Sequence, residues 1–298
     1  MKCVRVLLST YNGEKYLEEQ LLSIMGQEGV CVSLLVRDDG STDTTCDILE
    51  QWQSKGLLEW YKGENRGFAK SFLDLIQNSN DYDYYAFCDQ DDIWLPNKLS
   101  SAVGHLEHLQ KSVKLYCSNT YYYKNGENFG LIRKDTPKYN IYTSLVQNIA
   151  IGCTIVFNKA LKEVMVKRMP DYLIAHDYWA YQTAMIFGEV YYDPESYILY
   201  RQHDNNQIGA KVSVCEKWRR RVHSFFSKGQ YGISLQAQEL LRCYSDILSI
   251  NNRDIISRIA YYKDSLRLRI QLVFDSKYTM GRTINNVLLR LKIVFGKL

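Results

Sequence analysis

The chain has 298 residues, of which 46% are apolar and 23% charged, with four prolines and 17 glycines. That composition excludes collagen-like and proline-rich disordered chains, and no stretch reaches the ~18 consecutive apolar residues that a bilayer crossing needs. The net charge of +4 hides a split: residues 1–211 carry 21 basic and 27 acidic side chains, whereas residues 212–298 carry 16 and 6. An acidic front and a basic tail suggest carboxylate chemistry ahead and attraction to a polyanionic surface behind.

Cysteines stand at positions 3, 31, 46, 88, 117, 153, 215 and 243 with no C-x-x-C pair, so neither a zinc site nor a disulfide framework is expected. The short apolar run at the start passes directly into Ser9-Thr10-Tyr11-Asn12, which is no signal peptide. A cytoplasmic protein is the expectation.

In chain order, Cys3–Leu8 reads as a β-strand. Leu17, Leu21, Ile24 and Met25 then mark one face of a helix, with Asn12 as its candidate N-cap. Val30–Val36 is a second strand, followed by a helix with Ile48, Leu49 and Trp52 on one side. Leu58–Tyr61 is a third strand; Phe68, Phe72, Leu75 and Ile76 mark the next helix, and Tyr84–Cys88 is a fourth, buried strand. Val113–Cys117 and Cys153–Phe157 read as further strands, separated by a long Tyr/Asn-rich loop over Tyr121–Tyr142. His176-Asp177 opens a helix that leads into a strand at Glu189–Tyr192. The alternation predicts an α/β fold: a Rossmann-like, mostly parallel sheet flanked by helices, occupying residues 1–211, with a basic helical region over 212–298.

Three polar clusters fall at strand carboxyl ends, where open parallel sheets bind ligands: Ser9–Asn12, Asp38–Asp43 and Asp89–Asp92. Three carboxylates within four residues repel one another unless a cation or ligand donors hold them. A hard divalent cation bridges such carboxylates to substrate phosphates. An acidic turn capping the helix from Asn97 onward is the competing reading, weakened by the apolar flanks Phe87-Cys88 and Ile93-Trp94-Leu95. Asp38–Asp43 taken alone reads as a turn with an N-cap. Asp177 reads either as a helix cap or as a general base at a pocket mouth.

Together these residues resemble family-2 glycosyltransferases of the GT-A fold, and within them a bacterial rhamnosyltransferase-like branch. The matching pieces are Ser9-Thr10-Tyr11-Asn12-Gly13, Arg37-Asp38-Asp39-Gly40-Ser41-Thr42-Asp43, Asn65-Arg66-Gly67, Phe87 through Trp94, His176-Asp177 and Tyr200-Arg201-Gln202-His203. The resemblance implies that Ser9, Thr10, Tyr11 and Asn12, with Asp39, hold a pyrimidine base and ribose, and that Arg66 lies near the phosphates. It implies Asp91 as the direct Mg²⁺ or Mn²⁺ ligand, Asp89 near the ribose or metal, and His203 completing the metal site. Asp177 matches the family's catalytic base, with His176 sharing that role or lining the acceptor site, and Trp94 and Trp179 walling the sugar subsites.

The implied reaction is inverting, metal-dependent transfer of a sugar to a saccharide acceptor, lipid-linked, in bacterial O-antigen, capsule or wall polysaccharide synthesis. Rhamnose from dTDP-rhamnose is the first candidate, with UDP-galactose and UDP-glucose open. The processive Gln-x-x-Arg-Trp motif is absent, so one sugar per catalytic event is expected. The alternatives are a Mg²⁺-dependent phosphohydrolase of the haloacid dehalogenase type and a non-catalytic nucleotide-sugar-binding scaffold.

Near the end of the chain Ile284, Val287, Leu288, Leu291, Val294, Phe295 and Leu298 form one helical face, with Arg290 and Lys297 opposite and Lys292 near the apolar side. Such a helix suits the cytoplasmic surface of a membrane, giving a peripheral protein, or else packing on the catalytic domain or in a homodimer. No nucleic-acid partner is expected.

Overall fold

A computed structural model describes residues 1–202 and 232–298. His203, Cys215 and the expected boundary between residues 211 and 212 lie outside the described residues. The chain forms two compact units, one from residues 1–136, 150–167 and 175–202, the other from 137–149, 168–174 and 232–298.

In the first unit the elements run β1 (Cys3–Thr10), α1 (Leu17–Met25), β2 (Cys31–Asp38), α2 (Thr45–Ser54), β3 (Glu59–Lys62), α3 (Phe68–Asn78) and β4 (Tyr84–Cys88). They continue with β5 (Ile93–Trp94), α4 (Lys98–His108), β6 (Lys114–Ser118), β7 (Tyr121–Lys124) and β8 (Glu127–Leu131). In the second unit lies the short α5 (Ile141–Ser144). The first unit is completed by β9 (Val156–Asn158), α6 (Lys159–Lys167), α7 (His176–Phe187), β10 (Glu189–Asp193) and β11 (Ile198–Arg201).

The main sheet has the order β10-β6-β9-β4-β1-β2-β3. Its centre, β4, is buried at every residue, as a strand covered on both faces must be. The parallel pairings β1–β2, β1–β4, β2–β3 and β6–β10 match the expected α/β architecture, but β9 runs antiparallel to both β4 and β6. The register sets Thr10 against Asp38 and Leu8 against Cys88, so the carboxyl ends of β1, β2 and β4 finish side by side.

A second sheet, β5-β11-β7-β8, draws on the segment read from sequence as a structureless loop. Tyr121–Lys124 and Glu127–Leu131 are instead an antiparallel hairpin turning at Asn125-Gly126, both at positive φ. Aromatic side chains at Tyr121, Tyr122 and Tyr123 hid its alternation, because the period-two signal needs polar residues on one face. Asn12 is no N-cap: α1 starts five residues later, and Asn12 sits at φ 48°, a left-handed conformation that asparagine tolerates.

In the second unit are α8 (Ile233–Tyr244), α9 (Ile250–Ala260), α10 (Leu266–Phe274) and α11 (Thr283–Val294). Their core includes Leu240, Tyr244, Ile256, Ile259, Tyr262 and Tyr278. Segment 168–174 joins them through Glu239, which accepts the Asp171 N–H at 2.5 Å, and Gln236, which accepts the Ile174 N–H at 2.6 Å. Among the described residues no helix is long and apolar enough to cross a membrane.

The junction between α7 and β10 is tight. A Cβ on Gly188 would lie 2.1 Å from the Val113 carbonyl oxygen, which accepts the Glu189 N–H at 3.0 Å to begin the β6–β10 pairing. Because the obstacle is backbone, it cannot swing aside. Gly188→Ala is expected to destabilise the protein by about 1–3 kcal/mol in urea denaturation, the usual cost of overpacking; an unchanged midpoint would show that the strand pair shifts freely.

Candidate active site

The three polar clusters converge at the carboxyl ends of β1, β2 and β4, and their mutual hydrogen bonds explain the residue types. Asp38, at the end of β2, is buried and accepts from the Thr10 hydroxyl at 3.0 Å, from the Gly40 and Ser41 N–H groups at 3.1 and 2.9 Å, and from the Ser41 hydroxyl. It is a structural knot, consistent with the turn reading of that motif. Asn12 joins the same knot: its N–H donates to the Ser41 hydroxyl at 2.8 Å and its side-chain oxygen accepts the Thr42 N–H at 2.9 Å. Thr10 is buried, Ser9 half-buried, and Tyr11 and Asn12 are exposed.

Asp39 is also buried. Its carboxylate accepts from the Arg37 guanidinium and from the Arg66 and Gly67 N–H groups, both at 3.1 Å. A carboxylate has about four lone-pair sites, and these donors take three of them. The Arg66 side chain is exposed, 3.9 Å from Glu64.

Sequence reasoning missed the residues that lock these loops together. Arg37 is buried and holds, besides Asp39, the Asp74 carboxylate at 2.9 Å and the Glu64 carbonyl at 2.9 Å. Gln90, the middle residue of Asp-x-Asp, accepts the Tyr11 N–H at 2.9 Å and donates back to the Tyr11 carbonyl at 3.2 Å. Gly13 leaves room for it, since a Cβ there would lie 2.4 Å from the Gln90 side-chain oxygen. Arg201 fastens the acidic loop from the other side, its Nε donating to the Asp91 carbonyl at 2.8 Å and its N–H to Asp92 at 3.1 Å. A basic residue in a run of polar ones was the available signal; the tertiary partner was not.

Asp89 and Asp91 are half-buried at the end of β4, and Asp177 is half-buried in the first turn of α7. Burial, followed by repulsion from Asp91 and from Asp177, pushes the Asp89 carboxyl up to about 7. All three causes act in the same direction, and among the described residues no cation offsets them. Asp92 differs. It is fully buried, and burial together with Asp91 and Asp89 holds it well above the usual carboxylate range.

One ligand atom each from Asp89, Asp92 and Cys153 lies within 4.8 Å of the others. That trio is a poor seat for a hard cation. Burial keeps the Cys153 thiol protonated and favours a neutral Asp92, whereas Mg²⁺ and Mn²⁺ take ionised oxygen donors. Asp89 and Asp91 instead offer carboxylate oxygens alone, half-buried at one strand end, which is the donor chemistry such an ion takes.

Three of the expected subsite residues are instead core. The Trp94 side chain, 2% exposed, lies under the Lys98 ammonium at 3.6 Å, and Trp179 is 0% exposed, so neither ring presents a face to a sugar. His176 is stacked on Phe72 at 3.8 Å and edge-on to Phe87 at 4.8 Å. Burial pushes its imidazole down to about 3, and neither ring nitrogen has a hydrogen-bond partner. Its desolvated surroundings disfavour the imidazolium that a base would have to become. His176 and the neighbouring Asp177 thus divide the start of α7 into a buried anchor and a half-exposed acid.

Residues 5–169 match the sequence model of Glycosyl transferase family 2. Over 227 residues the chain is 34% identical to the dTDP-rhamnosyl transferase RfbG of Shigella flexneri, covering 72% of this chain and 77% of that one. It is 29% identical over 164 residues to the UDP-Glc:alpha-D-GlcNAc-diphosphoundecaprenol beta-1,3-glucosyltransferase WfgD of Escherichia coli, covering 53% and 61%. The fold is similar to that of S. aureus TarS 1–349 in complex with UDP-GlcNAc, with a TM-score of 0.56, 18% identity and coverage of 99% of this chain and 82% of that one. The phosphohydrolase and non-catalytic scaffold readings fall with these matches. A sheet whose strand ends carry these motifs, together with the extent of the match, places the chain in glycosyl transferase family 2, as a glycosyltransferase of the GT-A fold.

Proposed function

We propose that the enzyme transfers a sugar, with inversion and with a divalent cation, from a pyrimidine nucleotide donor to a saccharide acceptor in bacterial cell-surface polysaccharide synthesis. The observation that carries this reading is the convergence of Asp89, Asp91 and Asp177, close enough for Asp91 and Asp177 to disfavour ionisation of Asp89. Similarity to RfbG favours dTDP-rhamnose as donor, and the WfgD name supports a lipid-linked acceptor.

The roles follow from the positions. The exposed residues Tyr11 and Asn12, with Ser9 and Thr10, form the floor for base and ribose, and Asp39 takes the ring N–H of uracil or thymine. Arg66, with its side chain exposed beside the Asp39 loop, neutralises diphosphate charge. Asp91 and Asp89 would hold Mg²⁺ or Mn²⁺, with His203 a further candidate outside the described residues. When bound, the cation acts as a Lewis acid toward the departing diphosphate. Asp177, half-exposed while its neighbour His176 is buried, takes the proton of the acceptor hydroxyl as that oxygen attacks the anomeric carbon. A single displacement of this kind inverts the anomeric configuration.

Assay of nucleoside diphosphate release across nucleotide sugars, with Mn²⁺ and an oligosaccharide acceptor, tests the reading. Turnover with dTDP-rhamnose is expected, and no phosphate release from phosphomonoesters. Asp177→Asn is expected to keep donor binding, measured by thermal shift, while kcat falls about 10²–10⁴-fold; near-normal turnover would remove Asp177 from the base role. Asp91→Ala should abolish metal-dependent turnover.

The raised pKa of Asp89 has a measurable consequence in protein stripped of metal with a chelator. An acid whose folded pKa lies above its ordinary value favours the fold while protonated, and that contribution is lost as pH rises from about 4 through about 7. Asp89→Asn should therefore melt at a higher temperature than the parent chain at pH 8, by about 1–2 kcal/mol in stability, with no gain near pH 4. A variant less stable at pH 8 would mean that the carboxylates do not repel as proposed.

A further inference from the structure

We infer that α10 and α11 together form a docking surface for an anionic lipid bilayer. On α10, Leu266, Ile270 and Phe274 recur every four residues along one side and are 70, 50 and 82% exposed, while the helix buries only Leu272. On α11, Leu289 and Ile293 are buried, and Val287, Leu291 and Val294 lie on the opposite side, exposed. The apolar face of the last helix therefore turns outward. Two adjacent helices that each expose a row of large apolar side chains are uncommon on a chain that stays in water.

The charge around the rows selects the occupant. Residues 263–298 hold eight basic and two acidic side chains. Lys263, Arg267, Lys277 and Arg282 are exposed; of the two acids, Asp264 is exposed and the half-buried Asp275 carboxylate accepts the Lys277 N–H at 3.0 Å. A second copy of the chain would bring this positive surface against itself, since a two-fold contact pairs the same patch on both subunits. An anionic leaflet attracts it, with each basic residue near the surface strengthening binding about fivefold.

The surface is also built in advance. Arg290 donates to the Leu272 and Asp275 carbonyls, both at 2.7 Å, and to the Tyr278 carbonyl at 2.9 Å, so it closes the end of α10 from α11. Docking would then require little ordering of the helix pair. The inference does not depend on the transfer chemistry.

Deleting residues 284–298 is a poor test, because Leu289, Ile293 and Leu298 are buried and the Leu298 N–H donates to the Tyr262 hydroxyl at 2.7 Å. Exposed side chains are the better target. The full-length protein is sedimented with phosphatidylglycerol–phosphatidylethanolamine vesicles and with pure phosphatidylcholine vesicles, and melting curves verify the fold of each variant. Binding to the anionic vesicles alone, weakened by salt, is expected. I270S/F274S and V287S/L291S should each weaken it about tenfold or more, as should R267E/R282E. Any of three results would overturn the inference: no binding of the parent chain to anionic vesicles, parent-like binding by the α10 variant, or self-association through these side chains in a chain that does not sediment with vesicles.

Discussion

The site depends on holding like charges together. Asp89, Asp91 and Asp177 come from the end of one strand and the start of a distant helix, and left to themselves they would separate. A parallel sheet prevents that: β1, β2 and β4 end in register, and the loops leaving them have nowhere to go but over one another. The cost appears at Asp89, whose ionisation is opposed by burial and by both neighbours. Such stored repulsion is wasteful in a structural protein and is the kind of perturbation found where a site does chemistry.

What resists the repulsion is a set of cross-loop hydrogen bonds from Gln90, Arg201 and Arg37. Gln90 grips the backbone of Tyr11, Arg201 grips the backbone of Asp91, and Arg37 binds Asp39, Asp74 and the Glu64 carbonyl. Each joins two segments far apart in sequence, so the loops are positioned by one another as well as by the strands. This arrangement also explains the division of labour in the Asp38-Asp39 pair: Asp38 ties the turn to β1, and Asp39 ties it to the Arg66-Gly67 loop.

The sheet and the clusters were legible in the sequence because they follow from local rules. Tyr84–Cys88 is a continuous apolar run ending in acids, and the helix of Leu17, Leu21 and Ile24 buries those side chains as its spacing demands. The hairpin at Tyr121–Leu131 was not legible, since three consecutive tyrosines carry no alternation, and neither was the antiparallel insertion of β9, which depends on which strands are neighbours. At the site, the acids could be found from position and charge, but the burial of Trp94, Trp179 and His176 could not. An aromatic residue beside an acidic motif has the same one-dimensional signature whether it stacks on a sugar or on Phe72.

The same ambiguity, resolved the other way, governs the last helix. A seven-member apolar face at helical spacing fits a buried contact as well as an exposed one, and only packing decides. Here Leu289 and Ile293 serve as the packed side, although they are just two residues, because Arg290 between them fixes the helix through three main-chain carbonyls. With the rotation of the helix set by that cation, Val287, Leu291, Val294 and Phe295 of that face turn outward, while Leu298 at its end is buried. The basic side chains nearby then determine what can cover it, since an apolar surface with a large excess of positive charge around it repels its own image and favours a layer that is greasy beneath and anionic on top.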